Sequence, residues 1–123
     1  MSDAGCDVFA LEDTKIPAHS TVVVQTGFRL KIPDGFEVQV RPRSGMSVKT
    51  PIQVIFGTID SGYCGDVGVM AHNQSSKSYT IPKDTRIAQL VLAPSYRMFF
   101  KTVPKINELS SERGTNGFGS SGA

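Results

Sequence analysis

Apolar and polar residues alternate with period two in two neighbouring stretches of the chain. Phe28-Arg29-Leu30-Lys31-Ile32 puts every second side chain on one face, the spacing of a half-buried strand. Pro33-Asp34-Gly35 follows. Proline fixes φ, aspartate bonds its own backbone and glycine accepts positive φ, so this is a turn. Phe36-Glu37-Val38-Gln39-Val40-Arg41 then resumes the alternation, and the stretch predicts a β-hairpin. Strands are also predicted at Thr21–Gln25, Ile52–Phe56, Val67–Ala71, Ser78–Ile81, Ile87–Leu92 and Tyr96–Val103. Helix is expected only at Met46–Lys49, where Pro51 limits it. Short strands separated by turns, with no βαβ rhythm and no repeat, indicate an all-β sandwich or barrel.

Composition agrees. Val, Ile and Thr together number 29, against 12 for Ala and Leu, and branched side chains suit a pleated, half-buried surface. The 123 residues make one domain. With 39% hydrophobic and 20% charged residues the chain is neither disordered nor a membrane protein. A net charge of +2 is too small for duplex nucleic acid to be held by bulk electrostatics. Any anionic ligand must instead be met by locally placed Arg and backbone N–H groups. The start of the chain has neither the basic nor the apolar region of a secretion leader. Cys6 and Cys64 are therefore expected as free thiols in a reducing compartment, the cytoplasm, the nucleus or a host cell. The two Cys and two His lack zinc-ligand spacing.

Several segments carry candidate chemistry. Gly57-Thr58-Ile59-Asp60-Ser61-Gly62-Tyr63-Cys64-Gly65-Asp66-Val67-Gly68 sets an acid and an aromatic in a turn between two apolar strands. Asp60 alone fits an Asx-turn, and Tyr63 alone a half-buried ring. Gly57 and Gly68 fit either bulges or a backbone approached by a flat ligand. Arg43-Ser44-Gly45 leaves a strand and enters the short helix, a combination suited to phosphate. Arg86 and Gln89 are polar positions on an apolar strand, fitting surface or ligand. His19 and His72 have no evident partners. From Asn107 the chain is polar and rich in Gly and Ser, the composition of a flexible segment. Arg113, Phe118 and several hydroxyls inside that frame have the makings of a cover for a nucleotide.

Five separated segments, in order, resemble the trimeric dUTP pyrophosphatase (dUTPase) family. They are Ala4-Gly5-Cys6-Asp7-Val8, Pro42-Arg43-Ser44-Gly45-Met46, Gly57-Thr58-Ile59-Asp60 with Tyr63 and Gly65, Arg86-Ile87-Ala88-Gln89-Leu90, and Arg113-Gly114 with Gly117-Phe118-Gly119-Ser120-Ser121-Gly122. The resemblance implies a jelly-roll-like β barrel, a homotrimer with sites at subunit boundaries, and hydrolysis of dUTP to dUMP and pyrophosphate. It implies a barrel over residues 1–106 and an arm over 107–123 that closes on the site. Asp60 becomes the catalytic base that activates water, and Tyr63 the ring under the deoxyribose. The backbone around Gly57, Ile59 and Gly68 becomes the reader of uracil. Arg43, Ser44, Gly45 and Gln89 become phosphate contacts. Arg113 would reach the γ-phosphate, Phe118 would stack on uracil, and Gly119, Ser120 and Ser121 would complete the cover. Mg²⁺ would be held by phosphates and waters with no direct protein ligand, Asp7 holding those waters.

The chain departs from the family pattern at Gly62 and at Thr85, where Asp is common. It departs also at Cys64, where Arg is common, and at Asn116, where a small residue is usual. Only Met1-Ser2-Asp3 precede the first motif, a shorter lead than family members carry, so the chain is expected to be either minimal or truncated there. Two other functions share the resemblance: a dUTP-dependent regulatory module, and a dCTP deaminase, which needs a glutamate in the pyrimidine pocket.

Overall fold

The computed structural model describes residues 5–104. Its strands are β1 (Gly5–Phe9), β2 (Thr14–Ile16), β3 (Thr21–Arg29), β4 (Phe36–Pro42), β5 (Ile52–Val54), β6 (Gly57–Asp60), β7 (Asp66–Asn73), β8 (Tyr79–Ile81) and β9 (Arg86–Pro94). One helix, α1 (Ser44–Lys49), stands between β4 and β5. The expected all-β class with one short helix is what the chain adopts. The helix begins two residues earlier than the apolar pattern suggests, and ends before Pro51, whose ring disfavours helical backbone at the residue ahead of it.

Three antiparallel sheets share one core. Their orders are β1-β9-β4-β6, β3-β7-β5 and β2-β8. Alternation explains how they meet. In β7, Val67, Val69, Ala71 and Asn73 face inward while Asp66 and Met70 face out. Val8, Ile16, Val24, Ile52, Ile81 and Ile87 complete the interior. Asn73 is the buried polar residue there. Its amide donates to the carbonyls of Ile16 (3.0 Å) and Lys77 (2.8 Å), and its oxygen accepts from the Ser75 N–H and hydroxyl, both at 2.9 Å.

The predicted Phe28/Phe36 hairpin does not form. The turn is present, with Gly35 at φ +85° and the Phe36 N–H donating to the Pro33 carbonyl. The arms, however, belong to different sheets: β3 stops at Arg29 and pairs with β7, while β4 pairs with β6 and β9. A turn redirects a chain but does not choose the strand's partner. Ile52–Phe56 is likewise split, since β5 ends at Val54. Tyr96–Val103 joins no sheet. Tyr96, Met98, Phe99 and Phe100 are 87%, 78%, 90% and 88% exposed. β1 and β2 are additional strands that the apolar alternation did not indicate. Cys6 and Cys64 are free and exposed. His72 does have a partner, the Thr21 hydroxyl at 2.9 Å on the neighbouring strand.

Candidate functional site

The connection from β6 to β7 passes from one sheet to another. The two strands diverge instead of pairing, and a cleft of about 270 Å³ opens between them. Ile59, Asp60 and Tyr63 line one side, and Asp66, Val67 and Gly68 the other, with Thr58 also present. Because β6 is the outermost strand of its sheet among the described residues, one row of its backbone N–H and C=O groups has no ladder partner among them. Such groups can match the edge of a flat heterocycle.

The turn is built locally. The Tyr63 N–H donates to the Asp60 carbonyl at 3.0 Å, closing a four-residue turn with Asp60 at its first corner. The Tyr63 hydroxyl donates to the Asp66 carbonyl at 2.7 Å. Its ring lies over Gly65, where an added Cβ would come within 2.5 Å of the hydroxyl oxygen. The ring remains 48% exposed, so one side is free to receive a ligand. Asp60 is exposed and accepts no side-chain hydrogen bond among the described residues. No glutamate lines the cleft.

Gly68 lies in the cleft, but its missing side chain has an internal cause. A Cβ there would collide with Cγ1 of Val23 on β3. Gly57 lies outside the cleft lining, paired with Val40 on β4.

A second depression, about 290 Å³, gathers cations at another part of the same sheet. Arg43, Gly45 and Lys49 come from the start and end of α1, Thr85 and Arg86 from the start of β9. Arg43 donates to Asp7 Oδ1 at 2.6 Å, and Arg86 to Asp7 Oδ2 at 3.1 Å. Both oxygens of that carboxylate are thus engaged. Ser44 is exposed at the first turn of α1. Gln89 sits opposite Asp7 on β1 and Arg41 on β4. Its amide covers Gly5 so closely that a Cβ at Gly5 would come within 2.5 Å of Nε2.

The structure therefore gathers the predicted residues into two groups. Ile59, Asp60, Tyr63 and Gly68 form the cleft, while Arg43, Gly45 and Asp7 come together with Ser44 and Gln89 nearby. Asp60 is opposite Glu37 in β4, and Arg43 is six residues further along. At about 3.3 Å per residue the two groups are some 20 Å apart. Sequence reasoning missed Thr58, Asp66 and Val67 in the cleft and Lys49 and Thr85 beside Arg43. Asp66 carried the one available signal, a charge next to the aromatic turn. Arg113, Phe118, Gly119, Ser120 and Ser121 lie outside the described residues, as does the proposed arm.

Comparison with known proteins gives one answer. The family model dUTPase matches residues 1–122. A deoxyuridine 5'-triphosphate nucleotidohydrolase of Picosynechococcus is 40% identical over 122 residues, covering 98% of this chain and 84% of that one. The Staphylococcus bacteriophage 80alpha dUTPase, solved with dUPNHPP, superposes with a TM-score of 0.86 at 33% identity, covering 99% of this chain and 88% of that one. A dUTPase variant of S. aureus phage phi11, described with a structural Mg(II) ion, gives a TM-score of 0.77 at 26% identity over 85% of this chain and 86% of that one.

Proposed function

The chain belongs to the dUTPase family, and from that premise we propose that the cleft at Asp60 is where it hydrolyses dUTP. The reaction yields dUMP and pyrophosphate. The reading rests above all on one observation: an exposed carboxylate at the mouth of a cleft walled by an unpaired strand edge and a tyrosine ring.

Uracil enters between β6 and Gly68. Backbone groups of the β6 edge pair with its N–H and carbonyls, and the same groups leave the amino group of cytosine facing a donor. An unpaired buried donor is costly, so cytosine is rejected strongly. Tyr63 packs under the deoxyribose, where a 2′-hydroxyl collides. Asp60 accepts a proton from water as the water oxygen bonds to the α-phosphorus. The bond from that phosphorus to its bridging oxygen breaks, and pyrophosphate leaves with the electron pair. Arg43, Ser44, Gly45 and Gln89 bind the phosphates, and Arg charge offsets the negative charge building on the leaving group.

Magnesium is the cofactor. The donors here fit an ion that arrives on the phosphates. Asp7 lies beside the arginines proposed to bind phosphate, and each of its oxygens, bonded to one arginine, can still accept from a water. Bound, the ion would neutralise triphosphate charge, Asp7 holding its waters.

The separation of the two groups supports a site shared between copies, in the family's trimeric form. The phosphates must lie near Asp60, because the attacking water does. Arg43 of the same chain is at the far end of β4. A neighbouring copy that turns its Arg43 end toward this cleft completes the site. The arm at 107–123 then supplies Arg113 and Phe118 as a cover that closes on the nucleotide.

The test is release of pyrophosphate from dUTP, with dCTP, dTTP and UTP as controls, with and without magnesium. Selective release from dUTP is expected. Asp60→Asn should lower kcat by about 10²–10⁴ while calorimetry still detects dUTP binding. Unaltered turnover in that variant would remove Asp60 from the mechanism. Deleting residues 113–123 should cripple turnover and leave the melting temperature of the barrel nearly unchanged.

A further inference from the structure

The turn that carries Tyr63 has few ties to the body of the fold. Gly62 has nothing within 4 Å of an added Cβ, and Cys64 is exposed. Among the described residues, the side-chain bonds that reach Ser61–Val67 from elsewhere come from β3 alone. The Thr26 hydroxyl donates to the Val67 carbonyl at 2.7 Å, and Arg29 Nε donates to Asp66 Oδ1 at 2.9 Å.

The second tie exists because β3 bulges. Its register on β7 moves from Gln25 opposite Gly68 to Arg29 opposite Asp66, four residues against two. Gly27, at φ +84°, takes part of the bend. The bulge delivers Arg29 to Asp66, whose main-chain carbonyl is the acceptor of the Tyr63 hydroxyl. One residue thus joins the arginine to the sugar-facing ring. The Asp66 hydrogen bond, then its charge, raise the Arg29 guanidinium above its ordinary value against a small desolvation effect, and the Tyr63 phenol adds to the rise. The ring is half exposed, so packing alone does not fix its angle.

We propose that Arg29 is a positioning residue for sugar discrimination: through Asp66 it fixes the carbonyl that orients Tyr63, and so sets the preference for deoxyribose over ribose triphosphates. The inference rests on the dUTP-hydrolase reading and adds to it the source of the ring's orientation. Arg29 itself touches no substrate. The ion pair is exposed, with side chains 70% and 65% accessible, so its hold is modest and weakened by salt.

The experiment compares kcat/KM for dUTP and UTP in the wild-type chain, Arg29→Ala, Arg29→Lys, Tyr63→Phe and the Arg29→Ala/Tyr63→Phe pair, at low and high salt. Both substrates carry the same triphosphate, so salt effects on phosphate binding cancel in their ratio. Arg29→Ala should lower the dUTP:UTP ratio about three- to fivefold, as suits one exposed ion pair. The change should come from faster UTP turnover, with kcat for dUTP within about twofold of wild type. Arg29→Lys should recover part of the ratio, and high salt should bring the wild type toward Arg29→Ala. Combined with Tyr63→Phe, the arginine change should add nothing further, because both act on one bond. An unchanged ratio in Arg29→Ala overturns the proposal, as does an equal fall for both sugars or full additivity with Tyr63→Phe. A wild-type chain that turns over no dUTP overturns the hydrolase reading and this inference with it, and is recognised from the first measurement of the series.

Discussion

Two glycines near the cleft separate the residue's contribution to shape from its contribution to chemistry. At Gly65 an added Cβ meets the hydroxyl end of Tyr63, and the far end of a side chain can swing away. Gly65→Ala should therefore cost under about 1 kcal/mol of stability yet raise KM for dUTP, since the displaced ring is the one proposed to meet the sugar. At Gly68 the Cβ meets Val23, which is stiff at χ1 and sits on the adjacent strand. Gly68→Ala should cost about 1–3 kcal/mol through overpacking, read as a lower urea midpoint. The sequence showed Gly65 in the motif-bearing turn and Gly68 as a bulge or an open backbone on the strand after it, but not which neighbour each one avoids. That depends on β3 lying beside β7, a pairing of residues 37 to 51 positions apart. Asp60 and Tyr63 stood out as an acid and an aromatic in one turn, but alone they fit an Asx-turn and a half-buried ring, and their proposed roles came from the resemblance of five separated segments. Arg29 did not stand out, because a bulge with no local signature delivers it to Asp66.

Among the elements, strand existence was easier to read than strand partnership. In β7 the inward Val67, Val69 and Ala71 follow the period that one buried face imposes, whereas β9 was legible as a short apolar run, with Ile87, Ala88, Leu90 and Val91 all buried. The Pro33-Asp34-Gly35 turn was also legible, but the arms it joins enter different sheets, and only the three-dimensional core decides that. The same separation of β6 from β7 makes the cleft, so the feature least visible in the sequence is the one that opens the proposed site. What holds the sheets around it includes Asn73, whose four hydrogen bonds join β2, β7 and the turn before β8. Asn73→Ala takes the amide donor from the Ile16 carbonyl and the acceptor from the Ser75 N–H, while the Ser75 hydroxyl still reaches the Lys77 carbonyl at 2.8 Å. It should cost about 2–4 kcal/mol and lower the melting temperature by roughly 10 °C. A fall of only a degree or two would mean that water replaces the amide at no cost.

At the scale of the whole molecule, one chain carries both halves of the proposed site but holds them about 20 Å apart along β4. It also leaves Tyr96, Met98, Phe99 and Phe100 largely in solvent after β9, an apolar run of the kind that marks a contact surface. Both facts favour assembly, and mixing inactive variants tests it. Asp60→Asn lacks the proposed base and Arg43→Ala a proposed phosphate contact, so each alone should be nearly inactive. In a closed ring each cleft takes its Asp60 from one copy and its Arg43 from the next. Unfolding and refolding the two variants together in equal amounts draws each contribution at random. A cleft is complete when the first copy is the Arg43→Ala variant and the second is the Asp60→Asn variant, which holds for about a quarter of clefts. Activity should thus rise from near zero to roughly a quarter of wild type. Light scattering on the same sample gives the mass of the assembly. If each chain instead completed its own cleft, every cleft in the mixture would lack one group and no activity would return.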